Sequence, residues 1–186
     1  MTERYTPQVP KKHTTERDKV IIRRYFPKRD FKLLIGLVRD FFNRQRELSG
    51  KKQTYSRKRA IQTLKKDFVP SSKNIILIAK DAGKIIGFMR AQNSDGAWFL
   101  KEIIVIKKNR NLGIGRKLVE NMLNMLKRKK VPAVYMQIVP TNIEALTFFT
   151  DLGINRINTI ELESRLDKTK LPTHGKIKLK GFSLRY

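Results

Sequence analysis

The sequence has no cysteine, and that absence closes several routes at once. Without thiols there are no disulfides, no thiolate metal sites and no thiol nucleophile. Histidine is nearly as scarce: with only His13 and His174, a histidine-based metal site or catalytic triad is hard to assemble, and no metal is expected. No uninterrupted apolar run reaches the roughly 18 residues of a membrane span. The opening stretch MTERYTPQVPKKHTTERDK carries charges where a secretory signal would be apolar. The expectation is a soluble cytoplasmic protein without membrane attachment, whose chemistry rests on carboxylates, hydroxyls and backbone groups.

Acidic residues are few as well, 16 against 42 Lys and Arg, for a net charge of +26. The excess is not a tail: residues 1–70 contribute 20 − 7 = +13 and residues 71–186 contribute 22 − 9 = +13. Such a field attracts polyanions and repels cationic small molecules, so nucleic acid, a ribosome or an acidic protein suits it as a partner. A charge that serves solubility alone is the competing reading. At 186 residues the chain fits one domain with a real core, and a homodimer stays open.

Residues 1–18 lack apolar periodicity and read as a flexible basic arm, with the domain spanning 19–186. KVIIRRYF suits a first strand. Phe31, Leu34, Ile35, Val38, Phe41 and Phe42 then recur at helical spacing behind Pro27 and Asp30. Ser56 can cap a second helix whose apolar side is Ala60, Ile61, Leu64 and Phe68. NIILIA, KIIGFM and AWFLKEIIVI, joined at Asp81-Ala82-Gly83 and Asp95-Gly96, read as a three-stranded meander. A third helix carries Leu118, Val119, Met122, Leu123 and Leu126. AVYMQIV follows as a central strand covered on both faces, Thr141 can cap a fourth helix that stops at Gly153, and INRINTIEL and KIKLKGFSLRY supply late strands. The class is α/β (α+β): a mixed sheet of six or seven strands flanked by four helices.

Between the meander and the third helix lies Arg110-Asn-Leu-Gly113-Ile-Gly115. It lacks the Lys-Ser/Thr of a Walker loop and the third glycine of a dinucleotide fingerprint. What remains is a glycine loop at a helix N-terminus, where free N–H groups and the positive helix end converge on a spot suited to a pyrophosphate. About thirty residues on comes Asn142-x-x-Ala145-x-x-x-Phe149-x-x-x-Gly153-Ile154. The two motifs together resemble the GNAT family of acetyl-CoA-dependent N-acetyltransferases, and the element order agrees from about Lys19 to Leu162. The resemblance implies coenzyme A on this loop: Leu112, Gly113, Ile114 and Gly115 at the pyrophosphate, with Arg110 at the start of the loop. Ile104, Val105 and Ile106 would pair their backbone with pantetheine, and Asn142 would contact the cofactor.

Direct attack of an amine on bound acetyl-CoA needs no protein nucleophile, which fits a chain without cysteine. Strand alternation puts Glu102 on one face with Trp98, Leu100, Ile104 and Ile106, among apolar groups that would raise its pKa. It also matches a position that is a general base in several GNAT enzymes; the structural reading pairs it with a neighbouring Arg or Lys at the sheet's rim. Phe149, counted with the cofactor-binding residues, departs from the resemblance, because most of the family has there a tyrosine that protonates the leaving thiolate. Tyr135 is a conceivable substitute. In this family the acceptor lies against the first two helices and the late strands, which here hold Arg44, Arg46, Lys51, Lys52, Arg57, Lys58, Arg59, Lys176, Lys178 and Lys180. An amine on a protein or another acidic carrier fits that wall. A catalytically weak module that binds coenzyme A or nucleic acid as a regulator is the alternative.

Overall fold

The computed structural model describes residues 20–52, 54–164, 166 and 173–185; the arm expected over 1–18 lies outside the described residues. β1 (Ile21–Arg24) leads into α1 (Pro27–Leu48) and α2 (Arg57–Asp67). Pro27 opens α1 at a position where a missing N–H is no loss. Ser56 caps α2, its hydroxyl accepting from the Arg59 N–H at 3.2 Å. The meander is β2 (Asn74–Asp81), β3 (Lys84–Ser94) and β4 (Ala97–Val105). Its two hairpins turn on Ala82-Gly83 and Asp95-Gly96, all four residues at positive φ, the turn that matches strand twist. Then come α3 (Ile114–Arg128), β5 (Val134–Met136), α4 (Ile143–Thr150) and a hairpin of β6 (Lys176–Leu179) and β7 (Phe182–Arg185).

The main sheet has the order β1-β2-β3-β4-β5, antiparallel except for the parallel β4–β5 pair, and β6–β7 form a separate two-stranded sheet. The sheet separates two cores. Met89, Ala91, Trp98 and Leu100 pack with Leu118, Met122 and Phe149 from α3 and α4, while Ile76, Ile78 and Phe88 pack with Leu34, Val38, Leu64 and Phe68 from α1 and α2. β2 is buried continuously from Asn74 to Ala79 because it is covered on both faces.

Three expectations change. AVYMQIV is not a central strand: only Val134–Met136 is extended, half-buried at the sheet edge and paired with Trp98–Leu100. INRINTIEL forms no strand; its Ile157, Ile160 and Leu162 are exposed and do not keep the spacing of two that one strand face requires. Asn142, not Thr141, caps α4, its Oδ1 accepting from the Ala145 N–H at 3.1 Å, while the Thr141 hydroxyl donates to the Leu48 carbonyl at 3.0 Å.

β1 is tied to α1 by Asp30, whose side chain is 0% exposed. Its oxygens accept from Arg23 at 2.7 and 2.8 Å and from the Phe26 N–H at 2.9 Å. The Arg23 guanidinium, aided by that N–H, holds the carboxyl at about 2 against burial, which pulls the other way. A depressed carboxyl stabilises the fold above the unfolded value and loses that contribution as pH falls through the folded one. Thermal melts should therefore lose stability between about pH 4 and pH 2. Asp30→Asn should be less stable by about 2–3 kcal/mol at pH 7, with a shallower acid limb.

Candidate active site

β4 carries an extra residue. Arg90 pairs with Glu102 and Ala91 with Leu100, so Lys101 bulges out of the ladder. A bulge inverts the alternation that follows it. Trp98 and Leu100 face the α3 core, and beyond the bulge Ile103 and Val105 do so, while Ile104 packs on the α1–α2 side. Glu102 thus points away from Trp98 and Leu100, contrary to the expectation from plain alternation, and keeps Ile104 as its face neighbour.

The carboxylate of Glu102 is not alone. Arg90 Nε donates to Oε2 at 2.6 Å and Nη2 to Oε1 at 2.8 Å, with both residues buried. Arg90 also donates to Gln92 Oε1 at 2.9 Å and lies 5.3 Å from the centre of the Phe68 ring. Burial pushes the Glu102 carboxyl above the usual range, and the Arg90 hydrogen bonds pull it back. Both oxygens are occupied by Arg90, in a buried pair rather than one at the sheet's rim.

β5 accompanies β4 only as far as Leu100, so the outer edge of β4 is open beyond the bulge. The Ile106 N–H donates to Ile86 at 2.9 Å, towards β3. By alternation Ile104 turns the same way, and the backbone groups on the open edge belong to Ile103 and Val105. Of Ile104, Val105 and Ile106, expected to present their backbone, only Val105 does so on the open edge, beside Ile103, because the bulge that sets the phase leaves no mark in the amino-acid pattern.

After β4 the chain makes a short 3-10 turn and reaches the glycine loop, where Asn111 and Gly113 hold φ of 60° and 76°. Gly113 has no side chain to cap α3, and the first helical bond runs from the Lys117 N–H to the Gly113 carbonyl. The N–H groups of Ile114, Gly115 and Arg116 therefore have no partner within the helix, at its positive end. They open on a cleft of about 660 Å³ between the C-terminal half of α1, the glycine loop and α4. Ile104, Val105, Arg110, Gly113, Ile114, Gly115, Asn142 and Phe149 line it, as does Ile103. Leu112, Ile106 and Glu102 do not. From α1 come Phe41, Arg44 and Gln45, of which only Arg44 was anticipated.

The model of the acetyltransferase (GNAT) family matches residues 38–154, from the middle of α1 to just past α4. The chain belongs to the GNAT acetyltransferase family. No curated relative matches the sequence. Among solved structures, an integron cassette protein from the mobile metagenome of V. cholerae has a TM-score of 0.63 at 18% identity, with 81% of this chain and 94% of that one covered. The aminoglycoside N-acetyltransferase AAC(6')-Iy, in complex with CoA, gives 0.61 at 16%, covering 80% and 95%. A PaiA N-acetyltransferase from Thermoplasma acidophilum, in complex with coenzyme A, gives 0.57 at 16%, covering 72% and 87%. These similarities concern the fold.

In this GNAT domain α4 forms the far wall of the cleft. A Cβ on Gly115 would come within 3.0 Å of the Phe148 ring, so glycine there lets α4 close on the first turn of α3. Phe149 is 4% exposed and meets Phe148 edge to face at 5.0 Å. Tyr135 lies outside the lining and packs on Phe99 with 5.7 Å between ring centres. Asn142 spends its oxygen on the α4 cap, which leaves its amide N–H groups for the cleft.

Proposed function

We propose that the cleft binds acetyl-CoA and that an amine attacks the thioester directly. The observation that carries this is the uncapped N-terminus of α3 opening on a cleft that continues along the free edge of β4. The diphosphate sits on the N–H groups of Ile114, Gly115 and Arg116 and the αL turn at Gly113, with Arg110 beside it. Pantetheine runs along the backbone of Ile103 and the N–H of Val105, whose carbonyl already accepts from Arg110. When bound, acetyl-CoA supplies an activated acyl group: the neutral amine nitrogen bonds the carbonyl carbon, the C–S bond breaks, the proton shed by the nitrogen passes to water, and the thiolate takes one from water. Phe149 cannot donate that proton, so turnover relies on the modest basicity of the thiolate.

In this reading Glu102 is a positioning residue rather than the proton acceptor. Arg90 occupies both its oxygens, it stands outside the cleft lining, and its pair pins β3 to β4 beside the bulge. An amine that is partly neutral on its own then suits the site best. A protein α-amino group, with a pKa of about 7.7–8.0, is roughly a tenth neutral at pH 7, whereas a lysine at about 10.4 is under a thousandth neutral. Arg44 at the cleft and the exposed Lys51, Lys52, Arg57, Lys58 and Arg59 nearby in the chain favour an α-amino group followed by acidic residues.

Thermal denaturation with acetyl-CoA tests the cofactor. Saturation at 100 times Kd adds about 2.7 kcal/mol, a Tm rise of about 5–10 °C for a chain of this size. No rise at millimolar acetyl-CoA would sink the reading. Thiol release then tests the acceptor. A peptide with a free α-amino group and acidic second and third residues should be acetylated at least tenfold faster than its N-blocked counterpart with one lysine.

A further inference from the structure

Arg110 spans the cleft. Its Nε donates to the Val105 carbonyl at 3.1 Å, which fixes the guanidinium against the open edge of β4, and its Nη1 reaches Glu144 Oε1 at 2.5 Å. Glu144 stands in the first turn of α4, on the opposite wall, and both residues line the cleft. The only other carboxylate in the lining, among the described residues, is Asp151 at the far end of α4. A negative charge is thus placed beside the loop in a chain where acidic side chains are outnumbered 42 to 16.

We infer that Glu144 is a built-in competitor for the cofactor's diphosphate, occupying Arg110 in the empty cleft and setting how tightly coenzyme A is held. The inference rests on the cofactor reading above and adds a residue that weakens, rather than supports, binding. A diphosphate on the first turn of α3 brings negative charge into the space that Glu144 lines. Either Arg110 turns to the phosphate and leaves Glu144 as an unpaired like charge across the cleft, or Arg110 stays with Glu144 and the phosphate lacks a cation. Both raise Kd. The exchange is accessible because the ion pair is solvent-facing, with side chains 36% and 55% exposed, and such pairs are individually weak. The benefit is release: a product that keeps every phosphate group after acetyl transfer leaves sooner from a site holding a counter-charge.

Titration calorimetry on the full chain tests it, with coenzyme A and pantetheine as probes. Removing a like charge several ångströms from a phosphate should lower the Kd for coenzyme A by about 3- to 30-fold in Glu144→Gln at 50 mM salt. The gain should shrink to under about threefold at 0.5 M salt. Pantetheine, which has no phosphate, should bind wild type and variant alike. Glu144→Ala, which removes the charge by truncation, should move coenzyme A affinity the same way. Equal or weaker coenzyme A binding in both variants overturns the inference, as does an equal gain for pantetheine. If wild type binds coenzyme A normally in those cases, the cofactor reading survives; if wild type binds none at millimolar concentration, both fail.

Discussion

Arg90→Met should destabilise the folded chain by about 3–5 kcal/mol, the typical penalty for breaking a buried ion pair by removing one partner. For a chain of this length that is a Tm lower by about 6–20 °C. The methionine fills much of the arginine stem's volume against Phe68, so the loss arises from Glu102, left 6% exposed without a counter-charge. The pH dependence follows from burial, which already pushes this carboxyl up and is opposed chiefly by Arg90. With Arg90 gone the folded-state pKa rises further. A carboxyl raised in the folded state is tolerated below its unfolded value and becomes destabilising as pH rises through the folded one. The deficit of Arg90→Met against wild type should therefore widen as pH rises out of the unfolded carboxyl range and narrow towards about pH 4. Adding Glu102→Leu should recover most of the stability, since a hydrophobic pair often replaces a buried ion pair without loss. Thiol release by this double variant separates the roles of Glu102. Activity within about tenfold of wild type matches a positioning residue, whereas a loss of 100-fold or more in a stably folded double variant would return the base assignment to it.

Why the bulge escaped the sequence reading while the loop did not is a matter of what each feature demands of side chains. Gly113 at positive φ and Gly115 under Phe148 are positions where other residues meet strain or atoms, so the requirement is written in the residue type. Ser56, Pro27 and the Ala82-Gly83 and Asp95-Gly96 turns are legible for the same reason. The bulge at Lys101 requires no particular residue. Its outcome depends on where β3 and β4 pair across the sheet, and it decides which face Glu102 takes and which residues own the open edge. β5 is a similar case: AVYMQIV is apolar enough for a central strand, but it pairs with β4 only at Trp98–Leu100 and leaves the rest of that edge open. Arg110 was visible as a loop residue, but its partner Glu144 lies 34 residues away on α4, a contact that only the fold creates.

Gly113→Asp should abolish the thermal stabilisation by acetyl-CoA, raising its Kd by at least about 100-fold through like-charge repulsion at the diphosphate. Two effects must be separated, because any side chain here meets an unfavourable backbone as well. Gly113 holds φ of 76°, and the left-handed region disfavours an alanine by about 1–2 kcal/mol. A Cβ at this position meets no atom within 4 Å, so Gly113→Ala should lower Tm while leaving the affinity for acetyl-CoA within about threefold of wild type. Aspartate tolerates the left-handed region better than alanine does, so Gly113→Asp should be the more stable of the two and yet the one that loses the ligand. That inversion, in which the better-folded variant is the worse binder, is what an anion site at this helix N-terminus requires and what a plain strand-to-helix turn would not produce. Were Gly113→Asp to keep the full Tm rise with acetyl-CoA, the diphosphate would have to lie elsewhere, and the N–H groups of Ile114, Gly115 and Arg116 would lose their assigned role.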